Sequence, residues 1–315
     1  MSTTATEVRD LDHVVMADGR VYRVVGNLDH PAKFVGYNVY SPDPGGDRIF
    51  RGTSYRKNFT EDDELPDDAL DTYVMVPKAG IREHFDPRAA AAEKAGTFAG
   101  SPWAGLHAEL TALFGPDEVG IFGSAMLGMH LTPGGSVRKD VDFVIEGAGN
   151  IPVLRDHLPA IRSRLGFTEV TSARQGRQHE RYKRVFRNES NSTDLVIGRR
   201  WTALQAPNGV VTTIRFRDAA VRVPYQLACS FPVMAKDITV TGQVAGADLG
   251  NLFPRMFRVV TAGYAYTVHL WWWKFASPVR DGDTITIRGS RSDLLGHDVI
   301  RVSSFTRHWL QIHNP

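Results

Sequence analysis

The sequence holds a single cysteine, Cys229, among 315 residues. One chain can therefore build neither a disulfide framework nor a cysteine zinc site, which fits a reducing compartment. It also lacks an excess of charge. Its 37 basic and 35 acidic residues leave a net charge of +2, so no strong field surrounds the molecule. Nucleic-acid binding would need a local basic patch. Long hydrophobic runs are absent as well. The longest apolar run in the C-terminal part, around His269 to Phe275, is far too short to cross a bilayer. The N-terminal MSTTATEVRDLDH has no apolar stretch of signal-peptide length. A cytoplasmic protein with no membrane partner is expected. His130, His157, His179, His269, His297, His308 and His313 do not fall at metal-ligand spacing and read as surface or packed side chains. There is no internal repeat or low-complexity tract, and nothing points to an obligate protein partner.

What is present is a globular composition, 42% apolar and 23% charged. The length suits about two or three domains. From residue 10 to 76, apolar and polar residues alternate between turn signals, as in VVMADGRVYRVVG and KFVGYNVYS, which predicts a β-rich N-terminal domain over 1–85. The pattern then becomes helical. DPRAAAAEK offers Asp86 as N-cap and Pro87 at the first helical position, and SPWAGLHAELTALFG repeats the design with Ser101 and Pro102. A short strand, Val119 to Phe122, precedes Gly123-Ser124 and a short helical piece from Ala125 to His130. A further helix is predicted over 151–167, ending near Gly166. HERYKRVFR and TDLVIG read as strands, which gives a mixed α+β core over 86–228. From 229 to 315, DITVTGQVAG, YAYTVHLWWW, DTITIRGSR and HDVIRVSSF predict a small OB-like β-barrel. Core packing is the reading favoured for Trp271 to Trp273, with base stacking as its rival.

One segment carries chemistry. In KDVDFVIE, Asp140 and Asp142 lie one residue apart at the head of an apolar run. Strand side chains alternate faces, so both acids are predicted on one face with Val141 and Phe143 on the other. Two adjacent carboxylates repel, and burying them unpaired costs several kcal/mol by rough estimate. A divalent cation such as Mg²⁺ is the common stabiliser, and it keeps substrate phosphates as further ligands. Two metals about 3.5–4 Å apart clamp both oxygens of a phosphoryl transfer. Upstream, Gly123 admits an anion close to the backbone, Ser124 offers a hydroxyl, and a helix start would add outward N–H groups. Asp194, before the apolar LVIG, offers a third acid as ligand or general base.

This set of Gly123-Ser124, Asp140-Val141-Asp142 and a later strand acid at Asp194 resembles the nucleotidyltransferase superfamily of DNA polymerase β, the poly(A) polymerases and the minimal and kanamycin-type nucleotidyltransferases. The likeness covers roughly residues 103 to 200. The gap between Ser124 and Asp140 is longer than most members show, with Pro133-Gly134-Gly135 inserted. The resemblance implies a nucleotidyltransferase-type mixed sheet with helices, an NTP substrate and a two-metal Mg²⁺ site, with Mn²⁺ as a substitute. It implies that Asp140, Asp142 and Asp194 are catalytic and metal-binding, and that Gly123 and Ser124 hold the triphosphate. Lys139 and Arg199 join them as nucleotide-binding candidates within a basic rim of Arg138, Lys183, Arg184 and Arg200. The expected reaction transfers NMP to an acceptor hydroxyl of an RNA or DNA 3′ end, a protein or a small molecule, releasing pyrophosphate. The competing expectation is a nucleic-acid-binding protein with an inactive nucleotidyltransferase core. The plainer reading of the residues themselves makes Asp140 and Asp142 solvated edge-strand acids and Asp194 an N-cap or strand-start acid.

Overall fold

The computed structural model describes residues 7–58, 74–131, 140–170, 199–223, 237–271, 279–294, 297–303 and 307–314. It is a mixed α+β protein, mostly strands, with three α-helices among the described residues and a closed five-stranded barrel near the C-terminus. The chain divides into two compact units. The described residues of the first are 7–58, 75–131, 140–170 and 202–221; the remainder belong to the second.

The first unit contains two sheets. One is built from β1 (His13–Met16), β2 (Val21–Val24), β4 (Lys33–Pro42), β5 (Arg48–Phe50), β6 (Thr53–Lys57), β7 (Val74–Pro77) and β8 (Ile81–Phe85), with the two-residue β3 (Asn27–Leu28) between β2 and β4 in the chain. The order is β5-β6-β4-β2-β1-β8, with β7 against β4. β1 and β2 form the hairpin that the Ala17-Asp18-Gly19 turn predicts, closed by the Gly19 N–H on the Met16 carbonyl at 2.9 Å.

The second sheet has four strands: β9 (Val119–Phe122), β10 (Asp142–Glu146), β11 (Ala203–Gln205) and β12 (Val211–Arg217), in the order β11-β12-β10-β9. β9 runs antiparallel to β10, and β12 runs parallel to it. A parallel neighbour requires a crossover, and α3 (Asn150–Leu165) lies within that connection. The sheet has two unlike faces. Ile121 and Phe143 are fully buried on one, where the His107 ring of α2 (Pro102–Phe114) stacks on Phe143 at 6.2 Å. The opposite face alternates with it and carries Gly120, Phe122, Asp142, Val144, Glu146, Thr213, Arg215 and Arg217. Here α1 (Pro87–Lys94) approaches so closely that a Cβ on Gly120 would fall 2.8 Å from the Pro87 carbonyl carbon.

Helix ends follow the sequence in part. Asp86 caps α1 as predicted, its Oδ1 accepting from the Arg88 and Ala89 N–H groups at 2.9 and 3.3 Å. Gly166 ends α3 in the left-handed conformation. Ser101 does not cap α2: its hydroxyl donates back to the Phe98 carbonyl at 2.5 Å. The helical piece expected over Ala125–His130 is a series of turns, in which the Met129 N–H reaches the Ser124 carbonyl at 2.9 Å. HERYKRVFR and TDLVIG lie outside the described residues. Among those described, the strand beside β10 on its parallel side is β12, which the sequence reading passed over.

The second unit holds the two-residue β13 (Arg222–Val223) and the barrel strands β14 (Asp237–Ala245), β15 (Arg255–Thr261), β16 (Tyr264–Leu270), β17 (Thr284–Leu294) and β18 (His297–Val302). They are ordered β14-β15-β16-β18-β17, and β17 returns to pair with β14 and close the barrel. β16 and β18 are parallel; the other pairs are antiparallel. β19 (Trp309–Asn314) adds to β17. β15 and β19 were not anticipated, and β17 runs on through Ser292–Leu294, past the DTITIRGSR segment. Phe257, Val259, Leu270, Ile285, Ile287 and Ile300 fill the interior. Trp271 is fully buried against Phe253, with ring centroids 5.4 Å apart, so its place is the core; Trp272 and Trp273 lie outside the described residues. No helix among the described residues is long and apolar enough to cross a membrane.

Candidate functional site

The candidate site forms where β9 ends and β10 begins. Phe122 and Asp142 are cross-strand partners, so the Gly123-Ser124 turn starts beside the Asp142 carboxylate. A Cβ on Gly123 would lie 3.7 Å from Asp142 Oδ2. Gly123 has φ of +72°, a conformation that glycine adopts without strain. Ser124 is half-buried at the turn's second position. Burial alternates over the acid pair as the sequence predicts: Val141 and Phe143 are fully buried, while Asp140 and Asp142 are partly exposed. Regular pairing begins at Asp142, so Asp140 belongs to the segment that leads into β10.

Asp142 is held by one neighbour. The Thr213 N–H and hydroxyl both donate to its Oδ1, at 2.9 and 2.7 Å. Burial pushes the carboxyl up from its ordinary value, and the Thr213 hydrogen bonds and the charges of Arg215 and Arg23 oppose the rise. Tyr40 of β4 feels the same acids. Burial raises its phenol, Arg48 works against this, and the charges of Asp140 and Asp142 add to it. The sheet of β1, β2 and β4 thus brings Arg23 and Tyr40 to the acid pair.

Arg23 is anchored by rings. Its guanidinium carbon lies 5.0 Å from the Phe122 ring centroid and 5.8 Å from that of Tyr37, and Nη1 donates to the Tyr37 hydroxyl at 3.1 Å. Two rungs further along the same face, Arg217 is buried among three carboxylates. It donates to Asp12 Oδ1 at 2.6 Å, to Asp86 Oδ2 at 2.7 Å and to Glu146 Oε1. His84 Nε2 closes on the other oxygen of Asp12 at 2.6 Å. The planar five-donor guanidinium suits several carboxylates at once. This network ties the start of β1, the cap of α1, β10 and β12 together further along the face that carries Asp142.

Of the remaining sequence candidates, Arg199 lies in the second unit. It is buried in a two-point ion pair with Asp283, at 2.5 and 3.0 Å. Lys139 and Asp194 lie outside the described residues, as does Cys229. The acid pair, Gly123 and Ser124 come together in the first unit. Among the described residues no group of three or more metal-ligating side chains is assembled. His130, His269 and His308 are buried. The sequence reading missed Thr213, Arg215, Arg23 and Tyr40. Two signals could have found them: the β-branched run VVTT after Asn208-Gly209, a strand following a turn, and an arginine inside the apolar strand VYRVV.

No family model, curated protein or solved structure matches the chain.

Proposed function

We propose that the first unit carries a metal-dependent nucleotidyl-transfer site, in which an acceptor hydroxyl attacks the α-phosphate of an NTP and pyrophosphate leaves. The observation that carries this reading is the junction of the Gly123 turn with Asp142 Oδ2, with Asp140 at the same end of the strand pair. The donor set fits a hard cation: two partly exposed carboxylates, with the hydrogen bonds that Asp142 receives from described residues both directed to Oδ1 and Oδ2 facing the turn. Mg²⁺, or Mn²⁺ in its place, would be held by Asp140 and Asp142, with Asp194 as the third acid by resemblance, and would neutralise phosphate charge. Gly123 leaves room for a phosphate at the backbone, and Ser124 supplies a hydroxyl to it. The barrel's order, with its first and fourth strands closing and its third and fifth parallel, supports an OB-like reading of the second unit. Such barrels accept oligonucleotides, which makes an RNA or DNA 3′ end one acceptor class to test beside proteins and small molecules.

The second reading, a nucleic-acid-binding protein whose transfer core is inactive, is favoured by one observation. The residue opposite Asp142 on β12 is Thr213, not an acid, and it occupies Oδ1. The deciding experiment incubates the full chain with each α-labelled NTP, Mg²⁺ or Mn²⁺ and a mixed pool of RNA, DNA and cell extract, beside the Asp140→Ala/Asp142→Ala double variant. Label transfer and pyrophosphate release by the wild type alone support the transferase. Equal label in both proteins, or none in either together with salt-dependent binding of single strands, sinks it. Loss of the acids should cost about a thousandfold or more in rate, the scale seen when a group acting in the transition state is removed.

A further inference from the structure

We propose that Arg23, carried by the N-terminal sheet, binds a phosphate of the nucleoside triphosphate, so that this sheet is part of the transfer site and not an accessory to it. The inference rests on the transfer reading above and adds a substrate-binding residue to it.

Three placements point the same way. Phe122 and Asp142 are cross-strand partners and share a face, and the Arg23 guanidinium lies over the Phe122 ring on that face. Phe122 is also the chain neighbour of Gly123, so the cation sits at the root of the Gly-Ser turn. Arg215 of β12 shares the face, and both cations stabilise the charge of Asp142. The Gly-Ser turn does not open a helix, so no helix dipole adds positive potential there. A triphosphate brought to two carboxylates meets repulsion, which adjacent guanidiniums offset. Arg23 is ordered in advance by two rings and the Tyr37 hydroxyl, so contact with a phosphate oxygen costs little further side-chain entropy. Arg23 and Arg215 recognise the phosphates and carry no preference for a base.

The test uses the full chain as wild type, Arg23→Met, Arg23→Lys and, as a control for loss of an exposed charge on α3, Arg155→Met. Two quantities are measured with Mg²⁺ present: the equilibrium Kd for each NTP, and KM and kcat for the NTP that is turned over. Arg23→Met should raise Kd and KM about ten- to a hundredfold, the worth of a charge-assisted contact, with a smaller fall in kcat. Arg23→Lys should fall between it and the wild type, and Arg155→Met should match the wild type. Wild-type Kd and KM in both Arg23 variants overturn the proposal. If Arg23→Met shows no cooperative thermal transition, Arg23→Lys decides: a rise of about threefold or more supports the assignment, and a wild-type value overturns it. If the wild type binds NTP without turnover and Arg23→Met does not bind it, the transfer reading fails and the Arg23 assignment stands. If the wild type binds no NTP, both fall.

Discussion

Asp142 and Asp283 are both carboxylates on strand-rich scaffolds, and they are treated in opposite ways. Asp283, in the second unit, is buried and meets a full counter-charge. Arg199 grips both of its oxygens, and the Arg280 N–H donates to Oδ2 at 2.7 Å. Asp142, in the first unit, is partly exposed, and the donors it meets among the described residues are neutral, both on one oxygen. Its cations act on it from β2 and β12 with no ion pair among the described residues. One carboxylate is enclosed by its counter-charge; the other has an oxygen turned to a glycine turn. The same contrast separates Asp142 from Glu146 on one strand. Glu146, two rungs along the same face, ends in the Arg217 network.

The comparison breaks most sharply under mutation of the two acids. Asp283→Ala removes the carboxylate that pairs with the buried Arg199, and urea unfolding should show a loss of about 3–5 kcal/mol. Asp142→Asn keeps an oxygen for Thr213 and relieves burial of a charge, so its stability should stay within about 1 kcal/mol of wild type while transfer is lost. Comparable destabilisation by both would erase the distinction. A smaller effect is expected where α1 packs on β9. Gly120→Ala would push a methyl into Pro87 and Val144, and overpacking of this kind costs about 1–3 kcal/mol, read as a lowered Tm.

The smallest effects lie in the pH dependence. Burial alone would raise the Asp86 carboxyl, but the Arg217 charge and hydrogen bond and the α1 N–H groups hold it at about 2, below its ordinary 3.8. Its folded value is depressed, so its contribution is complete above pH 3.8 and fades as pH falls towards 2. His84 shifts the other way: its hydrogen bond to Asp12 raises it above 6.5, against burial. Its contribution is complete below pH 6.5 and is lost as pH rises through the raised value. Unfolding midpoints measured across both windows should fall at each end. In His84→Gln the alkaline fall should vanish and the acid one remain, and an unchanged alkaline fall would remove His84 from the network.

Much of the local design was legible. The Asp86-Pro87 start, the Gly166 stop, the burial alternation through Val141–Phe143 and four of the five closing barrel strands all follow from short-range rules of capping, periodicity and turn chemistry. The helix expected after Gly123 was not found. Its apolar AMLGMH residues are buried in turns, and tertiary packing outweighed a weak local preference. The site itself was half legible. Asp140, Asp142 and the Gly-Ser turn are close in sequence and announce themselves; Thr213, Arg215 and Arg23 are not and do not.

By itself, then, the sequence determined which residues point together along each element, because side-chain direction is a property of a few adjacent backbone dihedrals. That was sufficient to place the two acids side by side at the head of an apolar strand. Only the tertiary structure decided that β12 lies beside that strand, that Thr213 holds Asp142, and that an arginine from the distant strand β2 lies over Phe122. Pairings of that range are fixed by the burial of whole faces against one another, a collective free energy with no signature in any short window of the chain.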